Sequence, residues 1–109
     1  MPLTIEFLSK EQQHSEYDWA DISIGSDRVG KARCLIQDIT INIYSLNIYP
    51  AWEGQGYGRE FVDYCKGNFQ IVIANRVRYN AIGFWEALGF KNDHDGNWSY
   101  RKTTTERAA

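Results

Sequence analysis

The sequence is poor in residues that cross-link a chain or bind a metal: its cysteines are Cys34 and Cys65, and its histidines are His14 and His94. The two cysteines lie far apart and outside any paired-thiol motif. Neither histidine has a cysteine or carboxylate at a convincing zinc-ligand spacing. We therefore expect free thiols and no metal site.

Long apolar runs and clusters of basic charge are missing as well. No apolar run approaches the roughly 18 residues of a membrane span, and the stretch MPLTIEFLSKEQQHSEYDW lacks the charged and apolar regions of a secretory signal. Basic residues are scattered along a chain whose formal net charge is -2, so the electrostatic footprint of a nucleic-acid binder is missing. These absences predict a soluble, cytoplasmic protein that binds neither a membrane nor a nucleic acid.

The 109 residues are 43% hydrophobic and 15% aromatic, which is typical of a globular chain. Without repeats, low-complexity tracts or a linker, the sequence predicts one domain over residues 1–109, with a flexible tail from about residue 103. Because aromatic residues can form a dimer contact, the sequence leaves open whether the protein is a homodimer.

Strand patterns fill the first half of the chain. ADISIG and VGKARCLIQ read as two strands joined by a polar turn. DITINIYSLNIY alternates Ile39, Ile41 and Ile43 with polar residues at the strand period of two, which predicts a long central strand.

The second half alternates helix and strand patterns. Tyr57, Phe61 and Cys65 form one face of a short helix that Gly67 can end, and the strand FQIVIA follows. Asn80 is a suitable cap for the helix AIGFWEAL, and the chain closes in a hairpin that turns at Asp95-Gly96. This order predicts an α/β fold with a mixed, mostly antiparallel central sheet and short helices.

Between the long strand and the first of these helices, Gly54, Gly56 and Gly58 occupy every second position. A glycine-rich turn into a helix presents free backbone N–H groups and the positive end of the helix dipole, which together bind phosphate. The loop matches neither the dinucleotide fingerprint nor the NTPase phosphate loop. From these residues alone, a tight turn without a ligand stays an equal alternative.

Two motifs together carry a family resemblance. IYPAWEGQGYGREFV, followed by a strand and then by AIGFWEALGF, resembles the GNAT superfamily of N-acetyltransferases. That superfamily has the loop Arg/Gln-x-x-Gly-x-Gly/Ala after a strand, and later a helix of the type Ala-x-x-Phe-Tyr-x-x-Leu-Gly-Phe. The resemblance covers roughly Ala20 to Lys102.

The resemblance implies a splayed sheet that holds acetyl-coenzyme A and transfers its acetyl group to an amine. The pyrophosphate would lie on the amides of Gly54 to Arg59, and the pantetheine arm would pair with the backbone around Leu46 to Ile48. Asn75 or Asn80 would replace the family's asparagine, whose position holds Arg78. The implied cofactor-binding residues are Leu46, Ile48, Glu53, Gly54, Gln55, Gly56, Tyr57, Gly58, Arg59, Asn75, Asn80 and Trp85.

Three positions depart from the family pattern. Glu53 replaces an arginine or glutamine, at a cost to phosphate binding of about 1 kcal/mol, which Arg59 can offset. Trp85 replaces the tyrosine that usually protonates the departing thiolate, so Trp85 is interpreted as a core aromatic and Tyr79 is the predicted acid. For the general base, Asp38, Glu53 and a water stay open.

The segment before Ala20 is too short for the strand and two helices that the family places over its acceptor site. We therefore expect a GNAT-like fold without most of the N-terminal helical lid, and an open site suited to a protein lysine or N-terminus. The predicted function is an acetyl-coenzyme A-dependent N-acetyltransferase. The alternatives are a non-catalytic acyl-coenzyme A-binding module that regulates a partner protein, and a GNAT-like fold used only as an interaction surface.

Overall fold

A computed structural model describes residues 3–102 of the chain, which form strands, helices and two short 3₁₀ turns, at Pro50–Trp52 and Tyr79–Ala81. The strands are β1 (Leu3–Leu8), β2 (Asp18–Ile24), β3 (Asp27–Gln37), β4 (Thr40–Ile48), β5 (Ile71–Ala74), β6 (Lys91–Asn92) and β7 (Trp98–Arg101). The α-helices are α1 (Lys10–Gln13), α2 (Tyr57–Asn68) and α3 (Ile82–Ala87). The tail predicted from about residue 103 lies outside the described residues.

The seven strands form one sheet in the order β1-β2-β3-β4-β5-β7-β6. Neighbouring strands are antiparallel except β4 and β5, which are parallel. A parallel pair needs a crossover connection, and α2 supplies it. The predicted α/β fold class, with its mixed and mostly antiparallel sheet, is confirmed, and β4 lies at the centre of the sheet as expected.

Helix α2 packs against one face of the sheet, which we call the inner face. Its side chains Phe61, Val62 and Cys65 are fully buried in a cluster that includes Ala32 and Ile41 from the strands. Burying a side chain of the size of Phe61 or Val62 contributes about 1.5–3 kcal/mol. The predicted helix stripe is therefore confirmed at Phe61 and Cys65.

The segment before β2 holds a strand and a single helical turn. β1 pairs with β2, and α1 is only four residues long, with a capping box between Ser9 and Gln12. The carboxylate of Asp18 accepts hydrogen bonds from the amides of Lys10 and Ile36, at 2.7 and 2.8 Å. This buried aspartate therefore links α1 to β3. In the described residues, a single helical turn is present where the family resemblance implies two lid helices.

Three sequence expectations need correction. The alternation of the central strand begins at Thr40, because Asp38 has a φ of 58° and forms a turn; Ile39 is 51% exposed. Helix α2 continues through Gly67 to Asn68. Asn80 does not cap α3, since it lies inside the 3₁₀ turn and Ala81 takes the cap position without a side-chain hydrogen bond.

Cys34 and Cys65 are free and buried, as the sequence predicts for two unpaired thiols. Burial raises the pKa of each thiol to about 12, with a smaller contribution from the charge of Asp18 at Cys34. Both thiols are therefore neutral at physiological pH and act as small apolar groups in the core. None of the helices in the described part of the chain has the length and apolar character that crossing a membrane requires.

Gly30 in β3 lies against the backbone of β4, its neighbour in the sheet, so a side chain at this position is expected to clash. A Cβ at this position would lie 2.5 Å from the Asn47 carbonyl oxygen and 3.1 Å from the Ile48 Cα, and neither backbone atom can rotate away. We expect Gly30→Ala to lower the free energy of unfolding by about 1–3 kcal/mol through overpacking, measured by urea denaturation.

The matched control is Gly67→Ala, where an added Cβ meets nothing within 4 Å. Glycine inside a helix is less favourable than alanine by about 0.5–1 kcal/mol, so this variant should be at least as stable as the parent. Equal stability of the two variants would show that the end of β4 moves enough to accommodate the added methyl group.

Candidate functional site

The site begins where β4 and β5 stop pairing. Their register runs from Thr40–Ile71 to Ile43–Ala74, and the last hydrogen bond joins the Asn75 amide to the Ile43 carbonyl at 2.9 Å. Beyond that point β4 continues to Ile48 and is paired only with β3 among the described strands. The β5-facing edge of β4 therefore presents free backbone N–H and C=O groups.

A β-bulge at Tyr44 lies at the same point. Arg33 is opposite Ser45 while Cys34 is opposite Ile43, so Tyr44 is the extra residue of β4. A bulge bends its strand and increases the local twist. It thus marks the place from which β4 diverges from β5 and opens a cleft.

The glycine loop closes one end of this cleft. Gly54 and Gly56 have φ values of 80° and 86°, which glycine adopts at no steric cost, and an added Cβ on either residue would meet nothing within 4 Å. Both residues are therefore required by the turn, and they also leave open space in front of it. At Gly58, a Cβ would contact Leu46, Ile48 and Phe84 at 3.7–3.8 Å.

The loop leads into the N-terminus of α2 without a side-chain cap. The first backbone hydrogen bond of the helix is donated by the Glu60 amide to the Gly56 carbonyl, at 3.0 Å. The amides of Tyr57, Gly58 and Arg59 consequently have no acceptor among the described residues. Free amides and the helix dipole together form an anion-binding site at this end of the cleft.

The cleft has a volume of about 740 Å³. It is lined by Ile43, Tyr44, Ser45, Leu46, Asn47, Ile48, Trp52, Glu53, Gly54, Gly56, Tyr57, Gly58, Arg59, Ala74, Asn75, Arg76, Val77, Arg78, Ala81, Phe84 and Trp85. Its walls are thus β4, the glycine loop with the start of α2, and the segment from the end of β5 into α3. This volume is within the range of small-molecule and cofactor sites.

Most residues that the family resemblance implied for cofactor binding are brought together in this lining. They are Leu46, Ile48, Glu53, Gly54, Gly56, Tyr57, Gly58, Arg59, Asn75 and Trp85. Gln55 and Asn80 lie outside the lining, although Gln55 accepts a hydrogen bond from the Tyr57 hydroxyl at 3.3 Å. Tyr79, the predicted acid, also lies outside the lining. It is part of the 3₁₀ turn, and 91% of its surface is exposed to solvent.

Trp85 is both a cleft residue and a core residue. It is 8% exposed and contacts Phe84 and Phe90 edge to face, with ring centroids 5.0 and 4.9 Å away. Its ring therefore closes the bottom of the cleft and joins it to the core of the domain.

The charges of the lining favour an anionic ligand. The lining contains the three arginines Arg59, Arg76 and Arg78, whereas Glu53 is the single carboxylate among the described lining residues. Glu53 and Arg59 are both exposed, so solvent screens the repulsion that Glu53 exerts on a phosphate. Asp38, the other carboxylate considered as a base, precedes the start of β4 and lies outside the lining.

Sequence reasoning missed Tyr44, Arg76 and Phe84 as cleft residues. Tyr44 was assigned to the polar side of the central strand, and the bulge that places it at the opening has no local sequence signal. Arg76 has a φ of 50° and is the second residue after the end of β5, so its position beyond a strand end in an α/β sheet was the available clue.

No family model matches the chain. In curated sequences it is 32% identical over 72 residues to an uncharacterized N-acetyltransferase of Bacillus cereus, covering 66% of this chain and 45% of that protein. The chain spans between a third and a half of the length of the curated relatives it matches.

Solved structures share the fold of the chain. YhhK from Escherichia coli, determined in complex with coenzyme A, has a TM-score of 0.71 at 16% identity, covering 94% of this chain and all of that one. A GNAT-family acetyltransferase from Streptococcus pneumoniae has a TM-score of 0.58 at 19% identity, covering 82% and 87% of the two chains.

The chain has the GNAT fold. The resemblance seen in its two motifs is thereby confirmed, and so is the fold that the resemblance implied. At these identities the solved structures establish the fold of this protein and not its activity.

The two conformational roles of the loop glycines can be separated by mutation. Gly56→Ala should lower the free energy of unfolding by about 1–2 kcal/mol, because alanine is strained at a φ of 86°. Gly58→Ala is the matched control: its φ is not left-handed and the new methyl group would make ordinary contacts. Denaturant unfolding of both variants measures the difference, and a Gly56→Ala variant as stable as Gly58→Ala would show that the turn adapts.

Proposed function

We propose that this protein is a single domain that binds acetyl-coenzyme A in the cleft and transfers the acetyl group to the amine of a protein or peptide. The observation that carries the proposal is the free edge of β4, which leads from the bulge at Tyr44 to the uncapped N-terminus of α2. Coenzyme A has the matching chemistry, with an amide-containing arm attached to a pyrophosphate.

The residues present fit this cofactor. The amides from Gly54 to Arg59 are suited to its pyrophosphate, and Arg59 with Arg76 adds positive charge. The free backbone groups around Leu46 to Ile48 are suited to the amides of the pantetheine arm, which would pair with them as an added strand. Coenzyme A bound to YhhK supports this assignment.

Acetyl-coenzyme A supplies an activated thioester, and the chain's contribution is to position the amine and handle its protons. Tyr44 and Tyr57 are the phenols that line the cleft. The Tyr57 hydroxyl already donates to Gln55 at the phosphate end, whereas Tyr44 lies at the divergence of β4 and β5. We therefore assign proton donation to Tyr44 in place of Tyr79, with Glu53 or a water taking the amine proton.

A second candidate is a non-catalytic module that binds acyl-coenzyme A and regulates a partner protein. Trp85 favours it, because the indole N–H that stands at the position of the family's tyrosine is too weak an acid to protonate a thiolate. The scarcity of carboxylates favours it too, since Glu53 alone could serve as a base within the described lining. Turnover separates this candidate from the enzyme, and cofactor binding separates both from a fold used only as an interaction surface.

Acetyl-coenzyme A at about a hundred times its dissociation constant should stabilise the protein by ~2.7 kcal/mol through mass action. In a domain of this size, that stabilisation raises the melting temperature by roughly 10 °C, measured by differential scanning fluorimetry. The shift should be lost in Gly58→Val, whose side chain would project toward Leu46, Ile48 and Phe84 across the cleft.

Gly67→Ala serves as the control for this measurement, because it changes α2 outside the cleft and should retain the full shift. A folded wild-type protein that shows no shift at millimolar acetyl-coenzyme A would rule out the enzyme and the regulatory module alike.

The assignment of the acid is tested by a pair of tyrosine variants. Tyr44→Phe should lower the rate of thiol release with a lysine-containing peptide mixture by about 10²-fold or more, the usual effect of losing a general acid. Tyr79→Phe should leave that rate unchanged, because its phenol is 91% exposed and outside the cleft. If Tyr79→Phe lowered the rate of thiol release and Tyr44→Phe did not, the acid would be Tyr79. If the wild-type protein bound acetyl-coenzyme A and released no thiol, the regulatory module would be favoured.

A further inference from the structure

The face of the sheet opposite α2 carries an ordered group of cationic and aromatic side chains next to the cleft. We call it the cation–aromatic patch and define it as Tyr17, Trp19, Lys31, Arg33 and Tyr44. Trp19 and Arg33 are cross-strand partners in β2 and β3, and Lys31 lies two residues before Arg33 on the same strand face. Ala32 between them is fully buried on the inner face, which places the patch on the outer one.

The side chains of the patch hold one another in place. The Lys31 Nζ lies 5.3 Å from the centre of the Trp19 ring, and the Arg33 Cζ lies 4.8 Å from the centre of the Tyr17 ring. The Tyr17 ring in turn meets Tyr44 at 5.3 Å and 64°. Each such cation–ring contact is attractive, so it favours one orientation of the cation before any partner arrives.

Neither cation of the patch forms an ion pair within the described residues. Asp21 is the cross-strand partner of Lys31 on this face, and its carboxylate forms its ion pair with Arg28, at 3.0 Å. Lys31 and Arg33 have no ion pair, and the buried Nε of Arg33 has no hydrogen-bond acceptor. In a chain with a net charge of -2, Lys31 and Arg33 are thus cations without an ion-pair partner in the described part of the chain.

Tyr44 connects this surface to the cleft, because it belongs to the patch and also lines the cleft at the end of the β4–β5 pairing. A peptide lying across the patch would therefore deliver its amine to the opening at Tyr44. Lys31 and Arg33 lie about 7 Å apart along β3, a distance that acidic side chains near that amine can span.

We propose that the cation–aromatic patch binds the acidic side chains of a peptide acceptor, so that the preferred acceptor is an amine flanked by aspartate or glutamate. The proposal rests on the function proposed above and adds the substrate class. Arg33 would receive one carboxylate through its fork of N–H donors, and Lys31 a second as a point charge.

A single-stranded nucleic acid is the other polyanion that an aromatic and basic surface could suit, and the geometry disfavours it. Such binding uses open aromatic faces on which bases stack. Here the Trp19 and Tyr17 rings are covered by Lys31 and Arg33 of the same chain. The patch therefore offers cations, not stacking platforms.

The test uses short peptides with one lysine and a blocked N-terminus, which differ only in glutamate or glutamine beside the lysine. Affinity for the full chain is measured by fluorescence anisotropy without acetyl-coenzyme A, and acetyl transfer by thiol release. We expect the glutamate peptide to bind about tenfold more tightly or better, as charge-assisted hydrogen bonds allow. Raising the salt concentration should weaken this preference.

Lys31→Glu is the decisive variant, because Lys31 is exposed and the substitution leaves the core intact. It should abolish the preference for glutamate, while Arg33→Lys, which keeps the charge and loses the fork, should reduce it by a few fold. Lys91→Glu is the matched control: it makes the same change of charge at an exposed lysine on the edge strand β6, away from the patch, and should leave the preference unchanged.

The outcomes separate this proposal from the proposed function. Acetyl transfer to both peptides at equal rates, with equal affinities, would overturn the patch and leave the acetyltransferase standing. Binding that favours glutamate and responds to Lys31→Glu, in a protein that binds no acetyl-coenzyme A, would overturn the acceptor role. A single-stranded RNA that displaces the glutamate peptide and binds more tightly would overturn the choice of a peptide.

Discussion

The hydrogen bond from the Asn75 amide to the Ile43 carbonyl is the point on which the site depends, because it is the last link between β4 and β5. One residue further, the bulge at Tyr44 turns β4 away, and its edge is left with unpaired peptide groups as far as Ile48. Unpaired backbone donors and acceptors are costly to bury without a partner. A ligand that has peptide-like groups of its own meets that requirement.

The rest of the structure supports this opening from both sides. Below it, Trp85 belongs both to the cleft lining and to the buried cluster around Phe61, so the cleft floor is continuous with the core. Beside it, Gly30 allows β3 to approach the end of β4, with the Asn47 carbonyl only 2.5 Å from the position of an added Cβ. The cleft is therefore shaped by tight packing on the strand that forms its wall, a condition that favours preorganised binding.

The two faces of the sheet have different physical roles. The inner face is apolar and covered by α2, and it supplies most of the burial that stabilises the fold. The outer face carries Lys31 and Arg33 over aromatic rings, next to the place where the cleft opens. The four-residue α1 is the only helix between β1 and β2 in the described chain.

The sequence by itself determined the fold class, because strand alternation, the helix stripe ending at Cys65 and two family motifs are local patterns. It also located the glycine loop and about half of the residues that line the cleft. The tertiary structure decided the rest: the bulge at Tyr44, the exclusion of Tyr79 from the cleft, and the pairing of Arg33 with Tyr17. These depend on which strand residues lie opposite one another and on the direction of one 3₁₀ turn, and strand register is set by contacts between residues distant in sequence.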